Sequence, residues 1–117
     1  MDEVKQIISR VVDSDDTAGQ LRLLNDLRVI LGRVSSLEAE AHGNLIRARE
    51  AALEALYSNE RYQKANAPTK EKMLEFRCVN EEIELREAKI ALKLVSLAIE
   101  STRTIISARK SELEHHM

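Results

Sequence analysis

Aromatic residues make up 3% of this chain, tryptophan is missing, and its 117 residues include only three glycines, one proline and one cysteine. Sheets and compact mixed folds draw on aromatic side chains and on frequent turn residues, so the shortage of both excludes them and leaves helix. With Cys78 alone, neither an intramolecular disulfide nor a Cys-based zinc site can be assembled within one chain, which points to a reducing, intracellular setting. No stretch approaches the ~18 apolar residues of a membrane-spanning helix, and the start, Met1-Asp2-Glu3-Val4-Lys5, lacks the basic-then-apolar order of a secretory leader. The expectation is a soluble, unprocessed, cytoplasmic protein with no membrane partner. Charge of one sign is missing as well: 18 basic residues face 20 acidic ones, so net charge predicts no partner.

What is present is apolar periodicity. A hydrophobic content of 44% is enough for a packed core, and a charged content of 32% suits long helices with solvated outer faces. Val4, Ile7, Ile8, Val11 and Val12 mark a short amphipathic helix over 2–12, too short to persist unless it packs on something, as an arm or a lid would. The run Asp13-Ser14-Asp15-Asp16-Thr17 supplies candidate caps for a second helix over 18–57. From Leu23 its seam runs through Leu27, Ile30, Val34, Leu37 and Ala41 at spacings of four and three, then through Leu45, Ala48, Ala52 and Leu56. Such a helix spans roughly 60 Å at 1.5 Å per residue. Gly32 and Gly43 are expected to soften it or to admit a close contact.

Asn59, Asn66 and Pro68 make 58–68 a turn, with Pro68 or Thr69 opening a third helix over 69–113 that has neither glycine nor proline. Between Ala88 and Ile99 its apolar residues occupy two adjacent seams, more than one partner helix can cover. The reading is therefore an all-α single domain: a long antiparallel helical hairpin with a short N-terminal helix, assembling into a homo-oligomeric bundle. Leu27, Ile30, Val34, Leu37, Ile90, Leu94, Val95, Leu97 and Ala98 are the candidate interface residues.

Catalytic patterns are absent: no phosphate-cradling Gly-rich loop, no Gly-x-Ser-x-Gly elbow, no His-Glu-x-x-His. Glu81, Glu82, Glu84 and Glu87 look like part of a di-metal helix only superficially, since no histidine follows any of them by three residues; they read as a solvated acidic face. His42 reads as a surface side chain, His115 and His116 as a tail, and Cys78 as a small buried hydrophobe. No enzyme activity, cofactor, metal or small-molecule substrate is expected. The basic residues carry more information. From Lys89 to Lys110 the third helix has Lys89, Lys93, Arg103, Arg109 and Lys110 against Glu100 alone, with Arg47 and Arg49 a second group on the second helix. Repeated around an oligomer axis, such groups can contact phosphates. Tyr57 and Tyr62 near the turn either stack on bases or staple the tip.

The part from about Leu37 to Leu113 resembles small coiled-coil proteins of tailed phages, among them recombination mediators of the UvsY type. The likeness lies in Ala48-Arg49-Glu50-Ala51-Ala52-Leu53, a tyrosine-containing turn, the Thr69-Lys70-Glu71-Lys72 helix start, Val79-Asn80-Glu81-Glu82, and Arg86-Glu87-Ala88-Lys89. It extends to the closing run Ala98-Ile99-Glu100-Ser101-Thr102-Arg103-Thr104-Ile105-Ile106-Ser107, where Ile or Leu alternates with Ser and Arg as in that class. The resemblance covers roughly two-thirds of the chain and implies a homo-oligomeric accessory that binds single-stranded DNA and helps a recombinase replace a single-strand binding protein. The reading that competes with it is a structural or adaptor coiled coil acting only through protein contacts.

Overall fold

The computed structural model describes residues 2–13 and 17–116, with side chains described over 2–8 and 18–114. All five elements among them are helices: α1 (Asp2–Asp13), α2 (Thr17–Tyr57), α3 (Glu60–Lys64), α4 (Ala67–Arg77) and α5 (Val79–His116). The all-α expectation holds. The side chains of the proposed caps at 13–17, of Val11 and Val12, and of His115 and His116 lie outside the described residues.

The chain divides into two compact units, one of residues 1–36 with 89–117 and one of residues 37–88; α2 and α5 each contribute to both. In the first unit, α1, the early part of α2 and the later part of α5 share one apolar core of Val4, Ile7, Leu23, Leu24, Leu27, Ile30, Val34, Ala91, Val95, Ala98 and Ile99. The short N-terminal helix is thus a docked third helix of a small bundle, and its marginal intrinsic stability is offset by burying Val4 and Ile7. An ion pair between Glu3 of α1 and Arg33 of α2 fixes the two helices side by side at the surface. Two polar side chains, Gln20 and Thr102, are fully buried here, and the Thr102 hydroxyl donates to the Ala98 carbonyl at 2.8 Å. That bond satisfies a group whose burial is otherwise costly.

The second unit is a helical hairpin in its own right. Ala41, Leu45 and Ala52 of α2 pack on Cys78 and on Leu85 of α5, with Ala48, Leu74 and Ala88 at the edge of the cluster. Arg49 and Glu82 pair across the two helices at 3.2 Å. The expected plain turn over 58–68 contains the one-and-a-half-turn helix α3. Two asparagines bracket it: the Asn59 side chain accepts from the Tyr62 amide at 3.2 Å and the Asn66 side chain from the Thr69 amide at 2.9 Å. Asn66, not Thr69, caps α4, and Pro68 sits in its first turn, where no amide hydrogen is required.

Two further differences from the sequence reading have physical causes. The helix expected over 69–113 is interrupted at Cys78, whose amide donates to the Glu75 carbonyl at 3.1 Å and whose carbonyl accepts from the Glu82 amide at 3.0 Å. One residue closes α4 and opens α5, and no glycine or proline signals it; the position that breaks is the one drawn into the core. On α2, Leu37 is 57% exposed and the half-buried residue is Glu38. A straight helix turns every 3.6 residues while a four-three seam averages 3.5, so the seam slips, and Val34 to Glu38 to Ala41 restores it with a step of four. Gly32 admits no close neighbour either: a Cβ there meets nothing within 4 Å. Replacing Gly32 by Ala is therefore expected to stabilise the protein by about 1 kcal/mol, whereas Leu27→Ala, at a site with 0% exposure, costs about 2–5 kcal/mol. Urea unfolding of both variants followed by far-UV circular dichroism checks the two signs.

Candidate functional site

The basic residues of α5 sit where sequence and helix geometry jointly place them. From Val79 to His116 no glycine or proline interrupts α5, so residues three and four apart lie one above the other. The series Lys89, Lys93, Ser96, Glu100, Arg103, Ser107, Lys110 advances by four and three alternately and forms a single stripe, every member exposed. It holds four cations and one carboxylate. Arg109 does not belong to it: it lies on the packed side of α5, among the positions that continue from Thr102 and Ile106, and is half-buried. Arg33 pairs with Glu3, Arg49 with Glu82 and Lys64 with Glu60, whereas the stripe cations pair with no carboxylate among the described residues and keep their charge free for other partners.

Arg47 and Arg49 belong to the other unit. Both are exposed, but Arg49 is neutralised by Glu82 and Arg47 donates to the Asn44 side chain at 2.6 Å. They are weaker anion ligands than the α5 stripe, because a phosphate must first displace partners already in place.

The candidate interface residues separate into two groups. Leu27, Ile30, Val34, Val95 and Ala98 are buried within one chain against α1, α2 or α5. Only Leu37, Ile90, Leu94 and Leu97 remain available to a second molecule, the last three at 48%, 37% and 49% exposure. The double seam from Ala88 to Ile99 is thus half covered by α1 and α2 and half open. α1 shares the core formed by the covered half.

A second surface was missed by sequence reasoning. Along α4 the positions 69, 72, 73, 76 and 77 form one face, and together with Leu56 and Asn59 they line an open groove of about 460 Å³. Its floor is Leu56 and Met73, its rim carries Lys72 and Arg77, and Phe76 beside it is 81% exposed. The signal available in the sequence was the register of Phe76, which is offset by two from both Leu74 and Cys78 and so cannot share their inward face. Nearby, Lys70 lies over the Tyr62 ring at 5.3 Å from its centre, and the Gln63 side chain donates to the Tyr57 carbonyl at 2.5 Å. Tyr62 is thereby engaged in holding the tip, while the Tyr57 ring is exposed.

Cys78 offers little chemistry. It is fully buried, and burial first, then the Glu81 carboxylate, pushes its thiol above the ordinary 9.0, with Arg49 opposing in part. The nucleophilic thiolate is correspondingly scarce at neutral pH. Among the described residues, no group of three or more His, Cys, Asp or Glu side chains is placed to hold a metal ion, and no helix is long and apolar enough to cross a membrane. No family model, curated protein or solved structure matches the chain.

The raised thiol has a consequence for stability. The unfolded chain releases the Cys78 proton at a lower pH than the folded one, so above about pH 9.0 the fold loses stability as pH rises. Cys78→Ala removes that alkaline loss, and native Cys78 reacts with iodoacetamide far more slowly than in urea; equal rates in the two conditions would show an exposed thiol.

Proposed function

We propose that this protein is a non-enzymatic, homo-oligomeric accessory of the kind phages and prophages encode, which binds single-stranded DNA along α5 in the cytoplasm and acts beside a recombinase or a single-strand binding protein. The observation that carries this reading is the exposed stripe Lys89, Lys93, Arg103 and Lys110, interrupted by one acid and lacking internal ion pairs. Successive cations on one helix face can follow a phosphate backbone, and their attraction is independent of base sequence. The stripe holds no aromatic residue. Affinity therefore rests on counterion release and on repetition of the stripe in an oligomer, not on base stacking.

An adaptor role through protein contacts alone is the second reading. It is favoured by the groove at α4, where an apolar floor and the cations Lys72 and Arg77 suit an acidic segment with an apolar anchor. Fluorescence anisotropy with labelled single-stranded DNA across a salt series separates the two. Under the first reading, Arg103→Ala with Lys110→Ala weakens binding to every sequence and lowers the salt slope by about 0.7 for each phosphate-bound cation removed. Helicity and mass stay unchanged. No binding by the parent protein at low salt leaves the adaptor reading alone.

A further inference from the structure

We infer that the first unit pairs with a second copy of itself through α5, antiparallel, about a two-fold axis at Leu94. The inference rests on the homo-oligomer reading above and specifies its contact. Ile90, Leu94 and Leu97 lie on one face of α5, turned away from the core that Ala91, Val95, Ala98 and Ile99 form with α1 and α2. Each is between 37% and 49% exposed, an apolar stripe with no covering element in its own unit.

The charges along its flank decide the partner. Lys89, Lys93, Ser96 and Glu100 occupy one edge of the apolar stripe, because eleven residues separate Lys89 from Glu100 and eleven residues make almost three whole turns. When two such helices meet antiparallel with the axis beside Leu94, Ile90 of each copy lies within one residue of the level of Leu97 of the other. The same register brings Lys89 to within one residue of the level of the partner's Glu100, and Lys93 to within one residue of that of Ser96. Both ends of the contact then hold an opposite-charge pair. In a parallel pairing this edge meets the opposite edge of the partner, where Ala91 and Ala98 lie, so Lys89 and Glu100 do not pair with each other there. The two Lys93 side chains, uncompensated near the axis, bring two α5 basic stripes together on one dimer edge.

Three half-exposed side chains are a small patch beside the ~800 Å² per partner of a standard interface, so the pairing is expected in the micromolar range. Sedimentation of the full chain from about 1 to 300 µM tests for association itself. Single cysteines test the register, with the parent protein, whose only thiol is the buried Cys78, as the control. Under mild oxidation Leu94→Cys cross-links to itself. Ile90→Cys and Leu97→Cys do so poorly alone but cross-link when mixed, because each faces the other residue across the axis. Independently, Lys89→Glu weakens association about threefold to tenfold by opposing two pairs of like charges, and Lys89→Glu with Glu100→Lys restores it. A chain that stays monomeric throughout overturns both this contact and the homo-oligomer reading. An oligomer in which Ile90→Cys cross-links to itself as well as Leu94→Cys does, or in which the charge swap fails to rescue, leaves that reading standing and overturns the antiparallel register.

Discussion

The inward seam of α2, pressed against that of α5, is the interaction on which the remaining architecture depends. Leu27 and Val95 are fully enclosed in the first unit, and Cys78 is enclosed by the alanine-rich stretch of α2 in the second. Most of the stability of such helices comes from packing of their apolar faces, which here cover each other. The residues that point elsewhere are then free to carry other work. The exposed cations of α5 and the exposed leucines beside them owe their position to which face the core has claimed.

The width of the apolar surface sets how many helices meet. In the first unit α1 adds Val4 and Ile7 to the core that α2 and α5 form, with Glu3 paired to Arg33 at the surface. The strip of Ile90, Leu94 and Leu97 is what remains after that docking. In the second unit the balance differs: small side chains at Ala41, Ala48 and Ala52 let α5 approach α2 closely, and two helices suffice for the hairpin. Part of the leftover apolar surface there is at α4, where Phe76 stands outside the core beside Leu56 and Met73.

Electrostatics follows the same division. A carboxylate of the second unit is employed within it, Glu82 with Arg49 across the hairpin, so that unit neutralises part of its own charge. The α5 stripe of the first unit has cations at positions where the core imposes no partner. An anionic ligand meets them without first breaking an ion pair, which distinguishes Lys93, Arg103 and Lys110 from Arg49. Repeating them in a second copy changes a weak field into a usable one, since phosphate binding rises with each cation that releases a counterion.

By itself the sequence determined that the chain is helical, where the long helices lie and which stripes are apolar, because spacing of three and four residues, scarce glycine and proline, and paired asparagines near the tip are local properties. It also determined that Lys89, Lys93, Arg103 and Lys110 share a face, which follows from helical period alone. Tertiary structure decided what local patterns leave open. Leu37 and Glu38 are both compatible with a seam until the accumulated drift of a 3.6-residue helix selects one, and Cys78 breaks a helix that no local residue type would break. Arg109 belongs by composition to the basic group, yet packing turns it toward the core side. Which half of the double seam joins the core with α1 and α2 and which half stays open is a property of the packed unit; periodicity says which faces want burial but not what will bury them.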